Sequence, residues 1–532
     1  VLSRRQRQMC IRDSIYILAG GKTGRDGIHG VTFASRDLDA ASDDDIGAVQ
    51  LGDPITKEPL MHLCLELNEL GLLTGMKDLG GGGLSCVVGE LALDAGFGAN
   101  VDLEKVHLKL KNMAPWEIWV SESQERMMFT VKPENVQKVL DRCNAWDVEA
   151  VAIGEVIKEK RNIVKFNGTE ILNLDLEFTT GGPVYNRPYV LPEINNLDPT
   201  ELPPFPTDLS ETIRNIVGNP EVSSKDWVIR QYDHEVRGAT AIKPIQGKIG
   251  KEVHGDSSVL KPVEDSWKGL ALTADINPHL MEANPYHGTM SAVEEICRNL
   301  ASVGARIDSL ADCLCFGNPQ RPEIMGQFKS SCEALRDAAT FVDVPYVSGN
   351  VSLYNETAEG AIPPTPVLMG IGIVEDIRKC VTSDLKNKGD IWIVGKSKEQ
   401  MGASLYYRTQ GINCSNVPTT DFDSFIPRME QLIEAIESGE VSACHDVSTG
   451  GIALAVIEMC MGGVGAKINL SGDMRDDLEL FSESNGRWIV QVKPEFEEKF
   501  SKRFDFARKI GHVNNDISFN SVSYTHLTLP TT

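Results

Sequence analysis

The chain of 532 residues holds twelve cysteines but no C-x-x-C pair, and the two closest are Cys313 and Cys315. That spacing argues against a zinc site or a disulfide framework and leaves reduced thiols as the expectation. Positive charge is scarce. Lys and Arg number 52 against 76 Asp and Glu, a formal net charge of −24. Nucleic acid, whose phosphates call for basic side chains, is therefore argued against as a partner. An anionic small molecule is not, because backbone amides and a bound cation can receive one locally. No apolar run approaches the ~20 residues of a membrane helix, and the basic stretch VLSRRQRQMCIRDS at 1–14 lacks the apolar core of a signal peptide. A cytoplasmic chain with no membrane partner is expected. Also missing are G-x-S-x-G, H-E-x-x-H and any G-x-G-x-x-G in a suitable context. The loop GGKTGRDGIHG at 20–30 has the look of a phosphate cradle but not the order of a Walker A sequence. His29 within it reads as a loop or packing histidine.

What is present is an ordinary soluble composition, 41% hydrophobic and 24% charged, in a chain long enough for three or four domains. One domain type occurs twice. KDLGGGGLSCVVGELALDAGFGANVDL at 77–103 is matched by HDVSTGGIALAVIEMCMGGVGAKINL at 445–470, and SESQERMMFTVKP at 121–133 by SESNGRWIVQVKP at 482–494. Asp78 falls on Asp446, Gly82-Gly83 on Gly450-Gly451, and Ile153-Gly154 on Ile510-Gly511. Order and spacing kept through the whole stretch mark a duplication. Each copy reads as a strand ending in Asp, a glycine cluster, an amphipathic helix (84–95 and 452–461) and strands around Ser-Glu-Ser. Glycines ahead of a helix leave its first N–H groups open to an anion, although a plain left-handed turn has the same sequence.

Between the copies, residues 181–206 carry seven prolines and read as an extended linker. Helical patches follow at 209–217 and 225–236. A different domain begins near Gly255, with strands at 270–274, 306–311, 344–348 and 367–374 and helices at 291–303 and 324–340. The expected layout is a first B domain at 15–180, linker and helices at 181–254, an A domain at 255–383 and a second B domain at 384–519. Residues 1–14 and 520–532 read as non-native segments, disordered tails being the alternative. If each B domain follows an A domain, the opening A domain is missing and the frame is truncated.

The densest polar stretches, ADCLCFGNPQRPE at 311–323 and YVSGNVSLYNET at 346–357, read as loops at successive strand ends. Asp312 and Asn350 offer hard oxygens to Mg²⁺, and Gly349 would let the backbone approach a ligand. An Asn/Gly turn is the plain alternative. Gln50, in AVQLGDP, could hydrogen-bond a substrate or simply stand exposed at a helix start. Glu122-Ser123-Gln124 sits in a strand-like stretch, where three adjacent polar side chains are unusual for a core strand. The second copy has Glu483-Ser484-Asn485 there, and Ser448-Thr449 in place of glycines, which suggests one active and one supporting copy. His445 beside Asp446 invites an acid–base role, but its counterpart is Lys77, which argues against a shared one.

Through TGRDGIHGVTFAS, VQLGDP, KDLGGGGLS, SESQERM, FGNPQRPE, SGNVSLYNE and HDVSTGGIALA, in that order, the chain resembles the large-subunit (subunit II) family of phosphoribosylformylglycinamidine synthase over roughly residues 15–515. The resemblance implies a mixed α+β and α/β fold of the aminoimidazole ribonucleotide synthetase-like superfamily. Its units are duplicated A–B pairs, here without the first A domain, and its A domains join in a central barrel. It also implies the fourth step of purine synthesis, in which ATP activates the amide oxygen of formylglycinamide ribonucleotide and ammonia displaces the phosphate. Mg²⁺ would offset charge on the transferring phosphoryl group. A glutaminase subunit would supply the ammonia, with a small bridging subunit beside it. The matched motifs imply substrate contacts at Gln50, Glu122, Ser123, Gln124 and Ser352, nucleotide contacts at Asp312 and Gly349, and metal ligands at Asp78 and Asn350. The family's proton-accepting histidine lies in an S-H-N-H-P sequence that occurs nowhere here. No catalytic residue is therefore assigned, and the chain alone is expected to be inactive. Cys313 and Cys315 stand where asparagines are common, and DLGGGGLS where alanines are. Sister enzymes with one A and one B domain are argued against by the doubled B domain. A nucleotide-binding scaffold without turnover is the rival reading.

Overall fold

IYILAG at Ile15–Gly20 (β1) is apolar at every position before its glycine, a pattern suited to a strand covered on both faces. In the computed structural model it takes an inner place in a seven-stranded sheet of order β2-β4-β1-β5-β3-β6-β7. The strands are β2 (Leu73–Asp78), β3 (Gly98–Asp102), β4 (Arg126–Val131), β5 (Ala150–Ile157), β6 (Arg161–Phe166) and β7 (Thr169–Asp175). All neighbours are antiparallel except β3 and β6. Ile17 and Ala19 pack with Leu60, Leu63 and Leu67 of α1 (Pro54–Glu69). Tyr16 and Leu18 face the other way, onto Leu84, Val87 and Val88 of α2 (Leu84–Leu93). Each such side chain contributes ~1.5–3 kcal/mol on burial, enough to hold α1 despite Pro59 inside it. The other helices here are α3 (Pro115–Val120), α4 (Val136–Ala145) and α5 (Leu176–Gly181). The described residues are 11–28, 30, 50, 52–93, 95–182, 184–197, 202–470, 474–514, 518–521 and 525–528. They fall into two units, Val1–Asn186 and Arg187–Thr532.

The second unit opens with α6 (Leu209–Val217) and α7 (Asp226–Ile229), then β8 (Thr240–Ile242) and a hairpin of β9 (Ile245–Lys248) and β10 (Lys251–His254). A six-stranded sheet of order β14-β13-β17-β12-β11-β8 follows. It is built from β8, β11 (Ser258–Leu260), β12 (Gly269–Asp275), β13 (Arg306–Cys315), β14 (Tyr346–Ser352) and β17 (Thr365–Val374), with a short hairpin of β15 (Glu356–Thr357) and β16 (Gly360–Ala361) beside it. Helices α8 (Pro278–Ala283), α9 (Pro285–Ser302) and α10 (Pro322–Val342) accompany this sheet, and Val293, Ile296 and Leu300 of α9 share a core with Leu310, Leu314 and Leu368.

The remaining strands are β18 (Asp390–Val394), β19 (Val441–Asp446), β20 (Gly465–Ile468), β21 (Trp488–Val492), β22 (Ala507–Asn514), β23 (Ser518–Ser521) and β24 (Thr525–Thr528). Their order is β19-β21-β18-β22-β20-β23-β24, the order of the first unit position for position. Helices α11 (Leu405–Thr409), α12 (Phe422–Glu437), α13 (Gly451–Cys460), α14 (Asp476–Phe481) and α15 (Glu497–Arg503) complete it. Both α1 and α12 have 16 residues, an aspartate N-cap and a proline six residues after that cap. The duplication is thus visible in the backbone as well as in the motifs.

Several local expectations change. The helix expected over 225–236 is confined to Asp226–Ile229, because Arg237 and Gly238 lie in the left-handed region and a turn occupies the residues before them. The strand β8, inside the stretch read as linker and helices, belongs to the following sheet. Strands β13 and β14 run on past 311 and 348, since their peptides pair with each other in parallel register. Backbone pairing also continues past residue 519, where β23 joins β20 and turns back as β24.

Candidate functional site

Ser121-Glu122-Ser123 is a loop between α3 and β4 rather than a strand, for a clear reason. Its polar groups are spent on a clasp. The Glu122 carboxylate, 2% exposed, accepts the Gly82 N–H (2.9 Å) with one oxygen and the Gln50 side-chain amide (2.7 Å) with the other. The Ser123 hydroxyl accepts the Gly24 N–H (2.9 Å), and the Gln124 side-chain amide donates to the Glu122 carbonyl (3.0 Å). Buried Arg126 donates to the Ser123 and Ser121 carbonyls (2.7 and 2.6 Å) and to the Thr23 hydroxyl (2.9 Å). Burial pulls its guanidinium down to about 10. Gly83, at φ +54°, starts α2 so close to the loop that a Cβ would lie 1.9 Å from the Ser121 carbonyl oxygen. No other residue fits there.

Gln124 borders two clefts. One, of about 550 Å³, also takes in Asp78, Leu60, Met61, Cys64, Met76 and Met127. The other, of about 530 Å³, includes Gly20, Gly21, Lys22, Asp53 and Glu125. Asp78, at the end of β2, is exposed. Among the described residues its carboxylate makes no hydrogen bond or ion pair. The structure therefore brings Gln50, Glu122, Ser123 and Gln124 together and sets Asp78 on a cleft shared with Gln124. His29 lies outside the described residues.

The second copy repeats the glycine, serine and arginine bonds of the clasp, but the Leu405 N–H takes the place of the Gln50 amide on Glu483, and Asn485 donates to the Ser291 and Thr420 hydroxyls instead. The Glu483 carboxylate accepts the Gly450 N–H (2.9 Å), and Ser484 accepts the Lys398 N–H (2.9 Å). Arg487 donates to the Ser484 and Ser482 carbonyls (2.8 and 2.5 Å) and to the Ser397 hydroxyl (2.9 Å). Burial pushes Glu483 up to about 7 and pulls Arg487 down to about 9. A further difference lies at the aspartate. Asp446, unlike Asp78, is buried, and Arg298 of α9 holds it at 3.4 Å, with Glu295 at 3.2 Å and Glu294 at 3.6 Å from the same guanidinium. Burial raises Asp446 to about 6 despite Arg298. His445 is bracketed by Asp256 (2.6 Å) and Glu458 (3.0 Å). Burial opposes its charge, but the two carboxylates outweigh it and hold the imidazole well above its usual range. Asp256, His445 and Asp446 bring their ligand atoms within 4.8 Å of one another. Both ring nitrogens and both Asp256 oxygens are already engaged, Nε2 by Glu458 outside that group and the second Asp256 oxygen by the Asp446 N–H (3.0 Å).

Asp312, Gly349, Asn350 and Ser352 lie in the parallel pair β13–β14 of the second unit, not in loops. Asp312 stands opposite Gly349, and a Cβ at 349 would meet its carboxylate oxygens at 2.8 and 2.9 Å. Gly349 thus makes room for a side chain of the protein itself. Burial raises the Asp312 carboxyl. Strand alternation puts Cys313, Cys315, Asn350 and Ser352 on the other face. There the Asn350 amide donates to Cys313 Sγ (3.5 Å), and the two sulfurs are 3.8 Å apart. Asp78 in the first unit and the Asn350 side-chain carbonyl oxygen in the second each lack a partner among the described residues, and each is a hard donor of the kind Mg²⁺ takes. Sequence reasoning missed Arg126, Arg487 and the Thr23 and Ser397 hydroxyls. The arginine five places into both SESQER and SESNGR is the signal that would have found them.

Residues 13–167 and 387–521 match the family "AIR synthase related protein, C-terminal domain", and residues 254–374 match "AIR synthase related protein, N-terminal domain". The chain is 40% identical over 514 residues to "Phosphoribosylformylglycinamidine synthase subunit PurL" of Thermoplasma volcanium, covering 94% of this chain and 66% of that protein. It is 40% identical over 519 residues to the protein of the same name from Picrophilus torridus, covering 97% and 68%. The solved structure "T. maritima PurL complexed with FGAR" is 25% identical with a TM-score of 0.67, over 94% of this chain and 72% of that one. The chain thus spans about two thirds of the length of these curated relatives. It belongs to the phosphoribosylformylglycinamidine synthase subunit PurL family and has the AIR synthase-like fold.

Proposed function

From this membership we propose that the chain serves an ATP-dependent, amidine-forming ligase in cytoplasmic purine synthesis. That enzyme converts formylglycinamide ribonucleotide and ammonia into formylglycinamidine ribonucleotide, the ammonia coming from a glutaminase subunit with a small bridging subunit alongside. The observation that carries the reading is the Glu122 clasp, in which buried Glu122 and Ser123 are joined by exposed Gln50 and half-buried Gln124, beside a cleft that also contains Asp78.

An amide oxygen leaves poorly until it is phosphorylated, so such an enzyme must hold ribonucleotide and nucleotide in register. In this reading Gln50, Glu122, Ser123, Gln124 and Ser352 bind and orient the ribonucleotide, while Asp312 and Gly349 border the nucleotide. Asp78 and Asn350 would hold Mg²⁺, which when bound offsets charge on the transferring phosphoryl group. Rigid donors matter here because a clasp closed before substrate arrives has no ordering left to do. The S-H-N-H-P sequence is absent from these 532 residues. That favours a second reading for the chain assayed by itself: nucleotide and substrate binding without turnover.

Calorimetric titration of the chain with formylglycinamide ribonucleotide tests the first reading. Gln50→Ala and Glu122→Gln should each weaken binding about tenfold, the ~1.4 kcal/mol of one charge-assisted hydrogen bond. Binding that neither substitution changes would sink the substrate assignment. Ammonium- and ATP-dependent amidine formation by the chain alone would sink the second reading.

A further inference from the structure

The two copies differ in one more place, the cleft that meets the start of α1 in the first and of α12 in the second. In the first copy this cleft is lined by two lysines and four carboxylates, Asp53, Glu125, Asp147 and Glu149 among them. Its cations are neutralised: Lys22 lies 3.1 Å from Glu149 and Lys109 lies 3.2 Å from Asp26.

The second copy reverses the charge. Ser397 meets Arg487 as Thr23 meets Arg126, so Lys396 stands where Lys22 does. Gly486 replaces Glu125, and Arg428, one residue after the proline of α12, replaces Leu60 of α1. Lys396, Lys398 and Arg428 therefore line a pocket of about 220 Å³ whose one carboxylate is Asp421. That carboxylate is the α12 N-cap and accepts the Ser424 hydroxyl (2.8 Å). None of the three cations forms an ion pair among the described residues, in a chain of net charge −24. Arg428 is held by the Gly486 carbonyl (3.0 Å), and Lys396 Nζ lies 3.9 Å from the Phe506 ring centre. Arg428 and Lys396 thus have positions without a salt-bridge partner, Asp421 is the one carboxylate whose charge reaches Lys398 and Arg428 inside the pocket, and Thr419, Thr420 and Asn485 add polar groups to the lining.

We propose that this pocket is a binding site for a phosphate group, carried by a compact ester or as free phosphate. The start of the 16-residue α12 adds its N-terminal partial charge to three cationic donors. The pocket is below the roughly 300 Å³ at which drug-sized ligand sites begin, a size that suits a phosphate or a pentose phosphate. The site is separate from the ribonucleotide contacts proposed above and does not rest on them.

Calorimetric titration of the full chain at low salt, with inorganic phosphate and with ribose 5-phosphate, tests this. Lys396 and Lys398 are exposed, so K396A/K398A should keep the parent's thermal melt and lose about 100-fold in affinity, tenfold per charge removed. Lys396→Glu should abolish binding. Equal affinity for the two probes identifies free phosphate as the ligand, and tighter ribose 5-phosphate identifies an ester. The proposal is overturned if neither probe binds the parent at millimolar concentration. It is also overturned if K396A/K398A binds as the parent does, or if Glu122→Gln, in the other copy, weakens phosphate binding.

Discussion

Asp78 and Asp446 end the same strand in the two copies, yet one stands in solvent and the other is sealed beneath a guanidinium. Around them the scaffold is common: the sheet order, the Glu-to-glycine clasp and the buried arginine that holds it. The duplication therefore kept what positions the aspartate and changed what meets it. In the first copy the charge stands in solvent with no partner among the described residues. In the second, Arg298 supplies an internal cation, and the carboxylates around it can be buried only because that cation is there.

Removing that cation gives the largest expected effect. Arg298→Met would leave Asp446, Glu294 and Glu295 without their counter-charge and should cost about 3–5 kcal/mol of stability. Chemical denaturation checks it, and a loss below 1 kcal/mol would mean that the second copy is no more dependent on its ion network than the first. Next comes pH. The Glu483 carboxyl keeps its proton to about 7 in the folded chain against 4.5 when unfolded. Between those values the folded state binds more protons, so stability falls as pH rises, by about 3 kcal/mol across the window. Glu483→Gln should flatten that slope in melts from pH 4.5 to 7, and an unchanged slope would assign it to Asp446 and its neighbours instead. The smallest effect sharpens the contrast. Asp78→Asn should change stability by under ~0.5 kcal/mol, as exposed positions do, whereas Asp446→Asn should cost several times more. Equal losses would erase the distinction between an open and a sealed copy.

The repeat was legible because its motifs are local and strongly spaced, and the helices at α2, α9, α10 and α13 followed from apolar periodicity. Ser-Glu-Ser was misread as strand because its hydrogen bonds run to residues as far off as Gly24, and no window of sequence shows that. Asp312 and Asn350 were read as loop residues for their polarity. They lie instead in paired strands, where Gly349 leaves room for the carboxylate. Of the candidate residues, the clasp set converges in one unit, while Asp312, Gly349, Asn350 and Ser352 fall in the other. Arg298 gave no sequence signal at all. On its own helix it is one arginine after two glutamates, and its meaning comes from Asp446, far along the chain.

The arginine clasps also bear on how the chain acquires its structure. Arg126 reaches Thr23 across 103 residues, and Arg487 reaches Ser397 across 90. Contacts of such separation come at an entropic loss that must be met before they stabilise anything. The strand pairs β1–β4 and β18–β21 close over comparable separations, so each clasp should close late, together with the centre of its sheet. The amide hydrogens of Gly24 and Lys398, both held by clasp serines, would then be among the last to gain protection from exchange during refolding, and each copy would report its own completion.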